Sequence, residues 1–356
     1  MTEPENWAEP LKIGDSEFDP GQRGTVELPV GHLISHELIG MTVHVIRGKM
    51  PGPRMFVSAA VHGDEINGVQ IARQLLATRS LQRLRGDLLV IPVVNLPAFL
   101  SRSRYLPDRR DLNRLFPGSS TGSFGARLAR VFTREIVKKC THGIDLHTGA
   151  VNRPNLPQVR VNAEAEGAIE MARAFEPPVI VDSSTRPGSL RGEMNALGKL
   201  MLLYEAGEAE ILDRAAVRVG VHGVLSVMRY LGMLKTSNKE GARRKRTPML
   251  AKSSGWERAP RGGIFTPLVE MGKAVSAGTV LGAVGDPFDA TDVEVVSKTE
   301  GIIIGRANQA VVDEGDGLFH IAYSLNVGRD ERRIERSGEE LDESFDRPVF
   351  DDQLQD

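Results

Sequence analysis

Apolar positions along the chain fall into short runs separated by polar, turn-prone segments. "RMFVSAA" (54–60) is apolar at nearly consecutive positions and reads as a strand buried on both faces. "GVQIARQLLA" (68–77) spaces its apolar residues at helical intervals, so the spacing predicts a helix directly after that strand. "DLLVIPVVN" (87–95) is a second continuous apolar run; a long polar loop follows, and then a helix near 123–139. "GIDLH" (143–147), "PPVIVD" and "LMLLYEAG" supply further short strands. Residues 1–50 form a lead-in with strands at "GTVELPV" and "MTVHVIRG". Strands alternating with helices predict an α/β domain over 1–245, with a mixed, mostly parallel sheet flanked by helices.

The pattern changes after "KTSNKEGARRKRTP" (235–248). No aromatic residues interleave with its basic ones, so it reads as a solvated loop between domains and not as a nucleic-acid site. Over 246–330 two versions of one motif follow, each opening with Gly-Ile (Gly263-Ile264, Gly301-Ile302). Each then carries Val-x-x-Gly-x-x-Leu, at Val275, Gly278 and Leu281, and at Val312, Gly315 and Leu318. Short strands, turn glycines and an internal repeat predict a small all-β module with two similar halves. It resembles the barrel-like hammerhead fold of biotinyl and lipoyl domains. The stretch comparable to their carrier hairpin, 286–296, contains no lysine, so the module is structural or shapes a pocket. Residues 331–356 read as an acidic, partly ordered tail.

Composition narrows the class. A hydrophobic share of 40% supports a sizeable core, and a formal net charge of -2 gives no general attraction to nucleic acid or to anionic membranes. No apolar run approaches the roughly 20 residues that span a bilayer, and "MTEPENWAEP" is polar and acidic. The single cysteine, Cys140, rules out an intramolecular disulfide and suits a reducing compartment. A cytoplasmic protein is expected; a homo-oligomer stays open.

The candidate chemistry lies at strand ends. His62 and Glu65 stand on the turn after the first apolar run, with Gly63 between them, and His147 ends a different strand. The carboxyl ends of successive parallel strands meet along one edge, where these residues can converge. Two imidazoles and one carboxylate with an open position suit a catalytic zinc, which activates water and polarises a carbonyl. The competing reading is a histidine that only finishes a turn. Asp145, two residues before His147, can orient that imidazole, while Asp64 either does the same for a ligand or caps the next helix. Glu205, after the strand "LMLLY", is the candidate acid/base; the competing reading is a helix-start acid, which fits Glu208 at least as well, and the strand before Glu205 decides between them. The loop 95–118 holds Arg102, Arg104, Arg109, Arg110 and Arg114, fork-shaped donors suited to a carboxylate. Within it "DLNRLFPG" sets Asn113 and Arg114 between apolar residues, in a defined position.

Assembled in order, "HGDE", "NLPAF…RYLPDRRDLNRLFPG", "DLHTG" and "YEAG" resemble the succinylglutamate desuccinylase and aspartoacylase family, relatives of the zinc carboxypeptidases. The resemblance covers roughly residues 25–325, since the glycine-rich β module also fits this group. It implies one zinc per chain, bound by His62, Glu65 and His147. It implies Glu205 as acid/base, Asn113 and Arg114 on the substrate carboxylate, and Arg104 on substrate or the developing oxyanion. The implied enzyme is a zinc-dependent amidohydrolase that acts on carbon–nitrogen bonds other than peptide bonds. Its substrate is a small acidic N-acyl amino acid, cleaved to a free amino acid and a carboxylic acid. A zinc carboxypeptidase for short peptides uses the same groups in a more open groove, and an inactive small-molecule binder is the third alternative.

Overall fold

Short strands and the turns between them decide the topology. The structure, a computed structural model, describes residues 7, 9–32, 36–236, 247–324 and 326–343. The basic run 239–246 and the acidic end from 344 onward lie outside the described residues, while Val327–Glu343 of the expected tail region forms a helix.

A small hairpin of β1 (Leu11–Ile13) and β2 (Ser16–Phe18) precedes the paired strands β3 (Arg23–His32) and β4 (Leu38–Arg47). The buried runs follow as β5 (Met50–Ala59), β6 (Arg85–Ile91) and β7 (His142–Gly149). Next come β8 (Asn155–Val161), β9 (Val179–Asp182) and β10 (Leu200–Glu208). Strands β10, β7, β5 and β6 lie side by side and parallel at the centre of a 13-stranded sheet. The expectation of a mostly parallel sheet holds for this block and for β9, which runs parallel to β8. β3 and β4, joined by a few residues, have to run antiparallel; β4 on β6 and β8 on β10 are antiparallel as well.

β8 has no counterpart in the expected strands, because Pro157 argues against a strand interior. The proline sits where the outer neighbour of β8 changes: Asn155 pairs with Gly305, and Gln158–Val161 pair with β9. The missing N–H falls at that changeover.

Both faces of the sheet are covered. One carries α1 (Ile66–Leu76), α4 (Ala168–Phe175) and α6 (Arg214–Tyr230), the other the β1–β2 hairpin and α3 (Phe124–Phe132). Two glycines let α6 sit close: a Cβ on Gly220 would meet Ile71 Cδ1 at 2.3 Å, and one on Gly223 would meet the Phe175 ring at 2.2 Å.

In the C-terminal region β11 (Met249–Ala251) joins β9, and β12 (Ser254–Arg258) joins the last strand. The repeat appears as two strand triplets. The first is β13 (Gly263–Pro267), β14 (Ala274–Val275) and β15 (Val280–Gly285). After β16 (Asp292–Val296) comes the second: β17 (Gly301–Arg306), β18 (Val311–Val312) and β19 (Gly317–Tyr323). Each half lends its short middle strand to the other, β18 pairing with β13 and β14 with β17. Val275, Leu281, Val312 and Leu318 form the shared core, and Gly278 and Gly315 turn with positive φ of 90° and 86°. The antiparallel β17 and β19 extend the main sheet beside β8.

Two outcomes check this packing. Gly223→Ala forces a methyl into the Phe175 ring and is expected to lower stability by about 1–3 kcal/mol, despite the better helix propensity of alanine; an unchanged denaturation midpoint would place the two helices further apart. His320 is buried against Trp256, ring centroids 4.7 Å apart, and burial followed by Arg160 pushes its pKa down to about 3. The unfolded imidazole binds its proton near about pH 6.5, so between the two values the unfolded chain holds more protons and acid destabilises the fold. His320→Gln should therefore lose less melting temperature than the parent chain between about pH 7 and about pH 5. Parallel losses would refute this.

Candidate metal centre

After β5 the chain turns sharply, Ala60 adopting a left-handed φ of 50°. The turn carrying His62 and Glu65 runs tightly against α2 (Leu96–Leu100). Gly63 is required there: a Cβ would lie 2.0 Å from the Ala98 carbonyl carbon and 2.2 Å from the Phe99 nitrogen. Its N–H donates to the Ser103 carbonyl (3.0 Å), which locks the turn of His62 and Glu65 to the arginine-rich loop. Glu65 stands at the N-cap of α1 yet makes no capping bond with its side chain.

Its carboxylate goes to the imidazoles instead. Glu65 Oε1 is 2.7 Å from His62 Nδ1, Oε2 is 2.7 Å from His147 Nδ1, and the two Nδ1 atoms are 3.2 Å apart. All three side chains are buried, and they offer one ligand atom each within 4.8 Å of one another. Both outward nitrogens are also engaged. His62 Nε2 is 3.1 Å from Asp111 Oδ1, and His147 Nε2 is 2.7 Å from Asp145 Oδ2. Asp145 is held in turn by the Ser58 hydroxyl, which donates to Oδ1 at 2.6 Å from the facing position on β5. A carboxylate behind each ring fixes the tautomer that turns Nδ1 inward. Two imidazole nitrogens and a carboxylate with their outer partners in place fit a zinc-type ion.

The charges respond to this crowding. Burial lowers the pKa of His62, but Glu65 and Asp111 outweigh it and leave the ring raised; for His147, Asp145 and Glu65 overcome burial by a wide margin. Burial raises Glu65, yet the two imidazoles hold it well below the usual carboxylate range.

The remaining residues fall into place unevenly. Asp64 does not reach an imidazole: its Oδ1 is buried without a hydrogen-bond partner, while its carbonyl accepts the Glu210 N–H (2.8 Å). Asp111 backs His62, although in the sequence it follows Arg109 and Arg110 in what looks like a solvated loop. Its place two residues before Asn113 was the available signal. Asp111 also accepts the Asn113 N–H at 2.8 Å and so starts the short turn Leu112–Arg114. Of the five loop arginines, Arg104 is the one at the cluster, with Nη1 3.2 Å from Glu65 Oε1 and Nη2 3.3 Å from Asp111 Oδ2. Asn113 Oδ1 accepts the Leu190 N–H (2.9 Å) at the start of α5 (Leu190–Ala196). Arg114 is exposed, its guanidinium donating to the Asn113 carbonyl. Glu205 lies opposite His147 across the β10–β7 ladder and is half-buried. Its Oε2 accepts from Asn155 Nδ2 at 2.9 Å. Glu208 is buried and committed elsewhere, accepting the Asn152 N–H (2.6 Å).

Known proteins share this arrangement of sequence and fold. The profile of the succinylglutamate desuccinylase/aspartoacylase catalytic domain matches residues 51–231. The N-alpha-acetyl-L-2,4-diaminobutyric acid deacetylase of Halomonas elongata is 26% identical over 321 residues, which cover 86% of this chain and 93% of that protein. A crystal structure of a succinylglutamate desuccinylase/aspartoacylase from Rhodobacter sphaeroides superposes with a TM-score of 0.74 at 25% identity, covering 84% of this chain and 94% of the other. The product-bound ectoine utilization protein EutE (DoeB) of Ruegeria pomeroyi gives 0.76 at 23% identity, over 85% and 95% of the two chains, and shares the fold. The chain belongs to the succinylglutamate desuccinylase/aspartoacylase family.

Proposed function

We propose that this protein is a zinc-dependent amidohydrolase that releases a small acyl group from an N-acyl amino acid. The observation that carries the reading is the buried His62–Glu65–His147 triangle, each imidazole backed by its own carboxylate, with Glu205 across the ladder from His147. His62, Glu65 and His147 would hold one zinc per chain, which would supply a Lewis acid for the amide carbonyl and for water at neutral pH. Glu205 takes the proton from the attacking water and delivers it to the leaving nitrogen, because a free amine departs far more readily than its anion. Arg104, with Nη1 3.2 Å from Glu65 Oε1, offsets the negative charge that develops on the carbonyl oxygen. Asn113 and Arg114 hold the carboxylate of the amino-acid half, Arg114 through its exposed two-pronged guanidinium. Asp145 and Asp111 keep the ligand rings aimed inward. A carboxypeptidase-like catalytic core with a hammerhead-like module is part of this reading, as is a cytoplasmic setting, consistent with the buried free thiol of Cys140.

A small substrate is favoured over a peptide because the C-terminal region touches the loop after β7 and the end of β10. The Asn308 N–H donates to the Asn152 carbonyl (2.7 Å), and its side-chain amide reaches Glu208 (3.4 Å). The name of the Halomonas elongata relative makes acetyl the first acyl group to test.

The test is release of free amine from N-acetyl, N-succinyl and longer N-acyl amino acids and from dipeptides, each with the protein as isolated, after chelation and after zinc is restored. Chelator-sensitive cleavage confined to small N-acyl amino acids is expected; preference for dipeptides would favour the carboxypeptidase reading. His62→Ala and His147→Ala should lose zinc and activity together. Glu205→Gln should keep zinc, measured by atomic absorption, and lose at least about 100-fold in kcat; a zinc-loaded, fully active variant would remove Glu205 from the mechanism. Arg114→Ala should raise KM for carboxylate-bearing substrates by about tenfold or more with a smaller change in kcat. Unchanged kinetics would mean that this arginine does not meet the substrate.

A further inference from the structure

β8 approaches Glu205 from the side opposite the metal ligands. Its first residue, Asn155, is buried, and its side-chain amide donates to Glu205 Oε2 at 2.9 Å. The backbone explains why that amide stays in place. On one side Asn155 pairs with Gly207 of β10, beyond a register shift that follows Glu205. On the other it pairs with Gly305 of β17, the single ladder position shared by β8 and β17. A Cβ on Gly305 would stand 3.0 Å from Asn155 Oδ1, 3.3 Å from His320 Cβ and 3.4 Å from the Pro154 carbonyl, so the amide is confined between the C-terminal strands and the glutamate. A second group from β8 faces the other carboxylate oxygen: Arg160 Nε lies 3.8 Å from Glu205 Oε1 and is buried without a hydrogen-bond partner.

We infer that Asn155 is a positioning residue for Glu205, through which the C-terminal β region sets the orientation of the acid/base. The inference rests on the reading of Glu205 given above. A carboxylate that turns freely about its terminal torsion presents either oxygen to the reacting water, and many of those orientations are unproductive. Asn155 occupies Oε2 and holds the plane, which leaves Oε1 as the oxygen that accepts and returns the proton. Arg160, too far for a hydrogen bond, adds charge compensation at the exchanging oxygen without occupying it. The amide of Asn155 has no charge and loses no proton, so it acts only through the glutamate.

Kinetics of the zinc-loaded full chain on its best N-acyl amino acid test this. Asn155→Ala is expected to lower kcat by about 10- to 100-fold, with KM within about twofold and zinc content unchanged. In the Glu205→Gln background the same substitution should leave the residual rate unchanged, because the group it positions is already gone. Gly305→Ala, which presses on the amide without removing it, should lower kcat in the same sense but less. A structural role would instead reduce the rate by the same factor with either residue at position 205, or would reduce zinc content, and either result overturns the inference. Full kcat for Asn155→Ala beside an inactive Glu205→Gln overturns the inference alone; full kcat for Glu205→Gln overturns the acid/base reading beneath it. If Asn155→Ala does not fold, Gly305→Ala decides, and an unchanged kcat there counts against the proposal.

Discussion

A charged carboxylate cut off from water has to find positive charge, and the surroundings of Glu65 follow from that need. Glu65 is 1% exposed and lies within 2.7 Å of two imidazole nitrogens. The desolvation of such an anion would cost several kcal/mol if it stood alone. The Arg104 guanidinium, 3.2 Å away, offsets part of this, and the two imidazoles supply the rest only if the rings are held in one orientation. Asp111 and Asp145 supply that orientation, so the centre is a set of alternating charges in which every member has a neighbour of opposite sign. The same requirement explains a helix start without a side-chain cap: the residue in the capping position is committed to the imidazoles.

Bringing these groups together depends on backbone register. Ser58 faces Asp145 across β5 and β7, and His147 faces Glu205 across β7 and β10. In each case the partner sits on the adjacent parallel strand, and alternate residues of a strand share a face. A one-residue slip of β7 would turn Asp145 and His147 away together. The continuous apolar runs of β5 and β6 commit both faces of the central sheet to burial and thereby resist that slip.

Much of this was legible in the sequence where residue type and local pattern agree. His62, Glu65 and His147 follow apolar strands, and the buried runs are unambiguous. Gly63 carried the ligand turn, though its close approach to α2 shows only in three dimensions. The antiparallel pairing of β4 with β6 and of β8 with β10 was not legible, because pairing between strands distant in the chain leaves no local periodicity. Pro157 concealed β8, and with it the contact of Asn155 with Glu205. Gly220 and Gly223 weaken the helical signal of α6 while being the residues that let it pack. Asp111 shows the general difficulty: an acid among arginines looks solvated unless one knows that a histidine 49 positions earlier lies beside it.

The exchange of short strands in the C-terminal repeat bears on how the chain reaches its native state. With β13 completed by β18 and β17 completed by β14, neither half holds all of its own backbone partners. The separation along the chain between paired strands is long, and contacts of that kind slow folding, since loop entropy is lost before the pairing is gained. Neither half can complete its pairing until the other is present. β17 also meets Asn155, so the completed region and the completed environment of Glu205 depend on the same strand. A chain truncated within the second half would lack both.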